Sequence, residues 1–278
     1  MKKIFSYIKL TRPPNNLIAA LSVFVGATIA GDIESWWKVF FACLSAFFIS
    51  AGGNSINDYF DIKIDRINKP YRPLPKGEIA PSSALRFSIF LFLIGIILSV
   101  WIKPLSPWIA LLACGLLVVY SMILKKTLLV GNITVSMVSA LAFAYGGIAA
   151  GDFKLSLIPA AFALLFHLGR EILKDVEDLK GDSSLGASTM PIKLGVDFSL
   201  YMCTLVFSFL IFLTWLPYFI NVFSLVYLLV VIVGVDLVVI YVIWSMWRDH
   251  TSSNLHRLSN ILKVDMLLGL VAIYVGKF

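Results

Sequence analysis

Long apolar runs separated by short polar connections constrain this chain more than any other feature of its sequence. Hydrophobic residues make up 59% of the 278 residues and charged residues only 14%, and the mean hydropathy is +0.91. A soluble domain normally carries about a quarter charged residues, so this chain has too few polar groups to cover a surface that faces water. The sequence therefore predicts an integral membrane protein whose outer solvent is lipid.

Nine apolar runs approach the length of about 20 residues that spans the hydrocarbon core of a bilayer. They lie at about 15–31, 36–53, 85–102, 106–124, 132–150, 155–173, 197–217, 221–246 and 260–277. We therefore expect an all-α, polytopic membrane protein with nine transmembrane helices. Three cysteines, Cys43, Cys114 and Cys203, lie inside these runs without CxxC spacing, which predicts buried small hydrophobic residues.

The basic residues divide unequally when the connections are assigned alternately to the two sides of the membrane. One side receives nineteen of the 23 Lys and Arg residues, and the other receives only Lys38, Lys103, Lys154 and Lys277. By the positive-inside rule the N-terminus is cytoplasmic and the C-terminus is external, in a multi-pass protein of the cell membrane. The net charge of +7 then reflects cytoplasmic loops, and we expect no nucleic-acid partner.

A repeated acidic pattern occupies the two long cytoplasmic loops, at about 54–84 and 174–196. Asp58, Asp61 and Asp65 are each followed, 117 residues later, by Asp175, Asp178 and Asp182. Four predicted helices separate the two copies, an even number, so both emerge on the same side. This pattern predicts a parallel internal duplication within a single membrane domain, 1–278, with halves at about 1–130 and 131–278. Each half supplies four helices, and a ninth helix follows.

The spacing of the acids indicates a ligand. Carboxylates at i, i+3 and i+7 fall on one face of an α-helix, where they repel one another, and the dipole of a helix C-terminus adds to the cost. A solvated acidic face is the alternative interpretation, but two copies at identical spacing favour a site. Two opposed acidic faces suit Mg²⁺, which typically binds one or two carboxylates together with phosphate oxygens. We therefore predict a site for a metal-bound phosphate or diphosphate.

Basic residues near the motifs would neutralise the anionic groups of such a ligand. The candidates are Arg72, Lys125 or Lys126 after Tyr120, and Lys174 beside Asp175. Arg binds phosphate through two hydrogen bonds, whereas Lys acts as a point charge.

At these residues the sequence resembles the UbiA superfamily of intramembrane prenyltransferases. The resemblance rests on Asn57-Asp58-Asp61-Asp65, on Asp175-Asp178-Asp182, and on Arg12-Pro13 with Asn16. It implies a nine-helix bundle around a central cavity, capped by the two cytoplasmic loops, with Mg²⁺ as cofactor. The implied metal-facing residues are Asn57, Asp61, Asp65, Asp178 and Asp182; the implied substrate-binding residues are Asn16, Arg72, Tyr120, Lys126 and Lys174; and the implied catalytic residues are Asp58, Asp175 and Lys174.

The resemblance also implies the substrates, an isoprenyl diphosphate and a lipid-like acceptor delivered from the membrane. The loop sequences are most similar to the branch that transfers a geranylgeranyl group to geranylgeranylglyceryl phosphate in archaeal ether-lipid synthesis. An aromatic, quinone-precursor or porphyrin acceptor is the alternative. An ion-coupled transporter is a more remote one, because transporters place their charges near the bilayer midplane. The DGxxAR run typical of CDP-alcohol phosphatidyltransferases does not occur in this sequence.

One acid remains outside this interpretation. Asp236 lies within the eighth apolar run, where a charge is costly and often functional. It has no counterpart in the repeat, so a bond to a neighbouring helix is the other hypothesis.

Overall fold

A computed structural model of the chain describes residues 2–184 and 186–277, and all the regular secondary structure within these ranges is helical. In chain order the α-helices are α1 (Lys2–Thr11), α2 (Pro13–Ile29), α3 (Trp36–Phe60), α4 (Ile62–Asn68), α5 (Pro81–Ser99), α6 (Ser106–Met122), α7 (Val130–Ala150), α8 (Leu157–Glu177), α9 (Leu179–Ser184), α10 (Met190–Leu194), α11 (Val196–Phe219), α12 (Leu225–Val231), α13 (Leu237–Arg248) and α14 (Ser252–Gly276). A 3₁₀ turn, Leu124–Lys126, precedes α7, and a π-helical segment, Ile232–Asp236, joins α12 to α13.

Six helical spans in the described residues are long and apolar enough to cross a membrane: α3, α5, α7, α11, the continuous run α12–α13, and α14. Helices α2 and α6 are apolar but shorter, with 17 residues each. Large side chains such as Trp37, Trp101, Phe212 and Val233 are about two-thirds exposed, which a water-soluble protein would not tolerate over so many helices. The predicted all-helical, multi-pass membrane protein is therefore confirmed.

Glycines allow α2 and α7 to cross with their backbones in contact. A Cβ atom on Gly26 would lie 2.2 Å from the carbonyl oxygen of Phe143, and one on Gly146 would lie 1.9 Å from that of Val23. Small residues at helix crossings are typical of membrane proteins, where close van der Waals contact replaces the hydrophobic effect. This crossing joins a helix of the first half of the chain to one of the second.

Serine and cysteine side chains tie other helix pairs together. Ser45 Oγ donates to the Gly95 carbonyl at 2.7 Å, and Ser88 Oγ donates to that of Gly52 at 2.8 Å, so α3 and α5 are bonded twice. Between α8 and α11, Cys203 Sγ donates to the Gly169 carbonyl at 3.3 Å. Cys114 and Cys203 are buried and Cys43 is half-buried, all as free thiols, as the sequence predicts.

The π-helical segment brings Asp236 onto α11. Its two carboxylate oxygens accept hydrogen bonds from Thr214 Oγ1 at 3.3 Å and from Trp215 Nε1 at 2.8 Å. The structure thus supports the hypothesis that Asp236 bonds a neighbouring helix.

Candidate active site

The two acidic motifs lie where α3 and α8 end, and the backbone turns in the same way after each helix. Asp61 has φ −87° and ψ 1°, and Asp178 has φ −89° and ψ 5°. Each is followed by a short helix, α4 or α9. The expectation that the acids share one face of a continuous helix is wrong, because each long helix breaks at the middle acid of its motif.

The short helices α4 and α9 touch each other. A Cβ atom on Gly181 would lie 2.4 Å from Asn68 Nδ2, so a larger residue there would force the Asn68 side chain to shift. Lys69 Nζ lies 3.0 Å and 2.9 Å from the two carboxylate oxygens of Asp178, and Asn68 Nδ2 donates to the same carboxylate at 3.3 Å. The segments that carry the two motifs therefore meet at one end of the bundle.

Two arginines hold the buried acids of the first motif. Arg72 Nη1 donates to Asp58 at 3.1 Å and to Asp65 at 2.7 Å, while the guanidinium of Arg12 contacts the same oxygen of Asp58. Arg12 has the left-handed backbone conformation, with φ 53°, which is rare for a residue other than glycine and costs on the order of 1–3 kcal/mol. Asp58 and Asp65 are only 2% and 3% exposed.

Of the two adjacent lysines predicted near the site, one contacts the first motif and the other is exposed to solvent. Lys125 Nζ contacts Asp61 and lies 3.5 Å from Asn57 Oδ1, whereas Lys126 is exposed and has no side-chain bond within the described residues. Lys125 rather than Lys126 therefore contacts the first motif, because the 3₁₀ turn points only one of the two lysines toward the acids. In the second motif, Asp175 accepts a hydrogen bond from Asn132 Nδ2 at 2.8 Å.

A cavity of about 380 Å³ opens beside the motifs. Polar residues line one end of it, and apolar residues that include Ile49, Ala113, Leu117, Val138 and Leu141 line the rest. Its shape suits a molecule with a charged head and a hydrocarbon tail.

The cavity wall contains several of the predicted residues, namely Asn57, Arg72, Tyr120 and Lys174. The motif carboxylates lie behind the wall, reached through Arg72 and Lys69. Lys174 bonds both oxygens of Glu171, at 2.9 Å and 2.8 Å.

Asn16 does not reach the cavity. It is fully buried, and its side-chain oxygen accepts hydrogen bonds from Ser50 Oγ and Asn54 Nδ2, both at 3.0 Å. Its neighbour Asn15 lines the cavity instead. The helical phase of α2 after Pro13 turns Asn15 inward and Asn16 toward α3, so Asn16 positions other residues.

Sequence reasoning missed two groups of lining residues. Asn54 and Glu171 are 117 residues apart and both line the cavity, so extending the repeat one helical turn upstream would have found them. His256, Asn260 and Lys263 lie on α14, which has no counterpart in the repeat, and no motif marks them.

The donor set of the two motifs fits a hard divalent cation. Within the described residues no three His, Cys, Asp or Glu side chains lie close enough together to hold a metal. Four of the six motif acids instead contact a Lys or Arg. The other two, Asp175 and Asp182, have no such partner in the same part of the chain. Carboxylates and the Asn57 amide are the oxygen ligands that Mg²⁺ takes.

The pKa values of the motif acids on the short helices α4 and α9 agree with a site for a divalent cation. Burial raises the pKa of Asp182 to about 7, and the negative charges of Asp178 and Asp61 act in the same direction. Burial also raises the pKa of Asp65 to about 6, against the opposing effect of Arg72. Asp182 is thus influenced by acids of both motifs, and a divalent cation bound between them would favour the charged carboxylates.

This chain is similar to known proteins over nearly its whole length. The model of the UbiA prenyltransferase family matches residues 19–264. A digeranylgeranylglyceryl phosphate synthase from Methanosphaera stadtmanae is 34% identical over 270 residues, which cover 97% of this chain and 98% of the relative.

Solved structures share the fold. A structure described as that of digeranylgeranylglyceryl phosphate synthase in membranes is 34% identical and superposes with a TM-score of 0.77 over 100% of this chain and 99% of its own. A UbiA homolog from Archaeoglobus fulgidus, solved bound to GPP and Mg²⁺, is 20% identical, with a TM-score of 0.72 over 96% of this chain and 99% of its own. The second match shows the fold alone.

Proposed function

This chain belongs to the UbiA prenyltransferase family, and from that premise we propose that it transfers a geranylgeranyl group from geranylgeranyl diphosphate to the free glycerol hydroxyl of geranylgeranylglyceryl phosphate. The observation that carries the proposal is the full-length similarity to relatives named digeranylgeranylglyceryl phosphate synthase. The cavity supports it, since a polar end meets an apolar wall inside a membrane-embedded bundle.

In the proposed reaction the bond between C1 of the prenyl chain and the diphosphate oxygen breaks. The glycerol oxygen forms the new bond to C1, diphosphate leaves, and the hydroxyl proton passes to a carboxylate. Mg²⁺, when bound, supplies positive charge that stabilises the leaving diphosphate. Asn57, Asp61, Asp65, Asp178 and Asp182 are the residues that we propose to hold it.

The cations of the chain bind and orient the diphosphate. Arg72 and Lys69 line the cavity while contacting the acids, so each joins the metal-facing carboxylates to the substrate. Burial lowers the pKa of Lys125, and Asp61 opposes that effect. Lys174 adds a further cation to the cavity lining, and Tyr120 also lines the cavity. Preorganised cations of this kind are the main device for stabilising charge that develops on a leaving group.

Two carboxylates are proposed as proton acceptor, Asp58 and Asp175. Asp58 contacts two arginines, so its oxygens are already engaged. Asp175 is held by the neutral amide of Asn132, and this environment suits proton transfer better. The apolar wall of the cavity excludes the water that would otherwise capture an allylic cation.

The finer architecture also belongs to this proposal. We infer nine membrane crossings, formed by α2, α3, α5, α6, α7, α8, α11, α12–α13 and α14, arranged as two parallel repeats with halves at about 1–130 and 131–278 and a ninth helix. The shared backbone turn at Asp61 and Asp178 supports the duplication. The excess of basic residues beside the motifs supports a cytoplasmic active site and N-terminus and an external C-terminus.

A product assay tests the function. Purified protein is incubated with labelled geranylgeranyl diphosphate, Mg²⁺ and, in separate reactions, geranylgeranylglyceryl phosphate, a hydroxybenzoate and a porphyrin alcohol. We expect label in a doubly prenylated glyceryl phosphate, and loss of the reaction with EDTA. Transfer only to an aromatic or porphyrin acceptor would contradict the proposed acceptor, and no turnover with any acceptor would contradict an enzymatic role.

A further inference from the structure

Helix α14 presents three polar side chains to the cavity, on the wall that it forms with the end of α8. His256, Asn260 and Lys263 occupy positions i, i+4 and i+7, so they fall on one helical face, and all three line the cavity. Met266, the next residue of that face, also lines it, so the face changes from polar to apolar along its length.

An arginine from α8 joins this face. Arg170 Nε donates to the backbone carbonyl of Ser259 at 3.4 Å, one turn before Lys263, and Arg170 Nη1 donates to Glu171 at 3.2 Å. The Arg170 side chain is 16% exposed. It is therefore fixed at the edge of the cavity between α8 and α14.

The charges on this wall differ from those at the motifs. Arg170 and Lys174 share the single carboxylate of Glu171, and Glu177 bonds His256 Nδ1 at 2.8 Å. Lys263 and Asn260 have no side-chain hydrogen bond or ion pair within residues 2–184 and 186–277. The wall thus has a positive charge in excess and two unengaged hydrogen-bond donors, the arrangement that binds an anion.

We propose that Lys263, Asn260 and Arg170 bind the phosphate monoester of the acceptor, in a site separate from that of the diphosphate. The inference rests on the proposed function, whose acceptor carries both a phosphate and a hydrocarbon chain. The polar part of the α14 face takes the phosphate, and the apolar part beyond Met266 takes the start of the chain. This arrangement places the glycerol between the α14 wall and the diphosphate held at Arg72, so the site selects phosphorylated acceptors.

The test compares two acceptors that differ only in the phosphate, geranylgeranylglyceryl phosphate and geranylgeranylglycerol. In Lys263→Met we expect kcat/KM for the phosphorylated acceptor to fall by about 10- to 100-fold, the range for a lost hydrogen bond to a charged group. We expect kcat/KM for the unphosphorylated acceptor, and KM for geranylgeranyl diphosphate, to stay within about twofold. Lys263→Arg retains the charge and should restore most of the preference.

Two further variants keep the result interpretable. Lys193→Met removes an exposed lysine that does not line the cavity. It should leave kcat/KM unchanged for both acceptors. Asn260→Asp alters an exposed residue, so the variant should fold. Its added negative charge should lower kcat/KM for the phosphorylated acceptor alone.

An equal loss with both acceptors, or no loss with either, in both Lys263→Met and Asn260→Asp would overturn the inference while leaving the proposed function intact. A wild-type protein that turns over neither acceptor would contradict the proposed function, and the inference with it.

Discussion

Asp61 and Asp178 occupy equivalent turns, yet each faces a different lysine. Asp61 contacts Lys125, and Asp178 contacts Lys69. Lys69 also lines the cavity, so it connects Asp178 with the space in which we propose that the diphosphate binds. Substitutions of single residues therefore test the proposed chemistry most directly.

We predict that Asp61→Asn or Asp178→Asn lowers kcat by at least about 100-fold, because each change removes the charge of a proposed metal ligand while keeping the side-chain shape. Initial rates at several Mg²⁺ concentrations measure the effect, and membrane insertion should be unchanged. Asp197→Asn, at an exposed position outside both motifs, is the matched control. Near-normal rates in either motif variant would refute the metal-facing role.

Arg72 tests whether charge alone is sufficient at the first motif. Its guanidinium nitrogen Nη1 bridges Asp58 and Asp65, and the lysine side chain is shorter and ends in a compact, more strongly hydrated ammonium that is less suited to this buried bridge. We expect Arg72→Lys to lower kcat/KM for the diphosphate substrate by about 10-fold or more. The same exchange at Arg86, which is exposed, should have no effect. Equal kinetics in the Arg72 variant would show that only the charge matters.

Sequence reasoning identified the acids and most of the cations around them, because repeated polar residues stand out against an apolar background. It could not choose between adjacent residues. Asn15 rather than Asn16 lines the cavity, and Lys125 rather than Lys126 contacts Asp61. The choice depends on the phase of a helix or a 3₁₀ turn, which a single step along the chain reverses.

At the scale of elements, the α2–α7 crossing depends on backbone contact at Gly146. We predict that Gly146→Ala lowers the apparent Tm in detergent by several degrees, since a Cβ atom would overlap the Val23 carbonyl and overpacking costs about 1–3 kcal/mol. Gly115→Ala is the matched control, because nothing lies within 4 Å of an added Cβ there. Thermal unfolding of the two variants side by side makes the comparison, and an equal Tm would contradict the tight crossing.

The apolar runs predicted the positions of the long helices but not how they end. Helix α3 continues to Phe60, seven residues beyond the apolar run, because the backbone hydrogen bonds of a helix form within it whether its side chains are polar or apolar. The run at 221–246 is interrupted by a π-helical segment, which turns Asp236 toward α11. Hydropathy indicates whether a helix faces lipid or water, but it does not indicate where a helix ends or where a π-helical segment interrupts it.

At the scale of the whole molecule, the proposed topology places the acidic motifs in the cytoplasm. We predict that a cysteine replacing exposed Lys154 reacts with a membrane-impermeant maleimide in intact cells, whereas one replacing exposed Lys180 reacts only after the cells are broken. The native cysteines are buried or half-buried, so the unmodified protein provides the background. The reverse pattern of labelling would contradict the orientation.

The central claim is that the acids of both motifs jointly bind the metal that accompanies the diphosphate. Crystals grown with Mn²⁺ and an unreactive geranylgeranyl thiolodiphosphate would locate the metal by its anomalous scattering. We predict metal peaks within about 2.5 Å of carboxylate oxygens from both motifs, with the diphosphate bound beside the metal. Metal bound by one motif alone, or diphosphate bound away from Arg72 without metal, would contradict it.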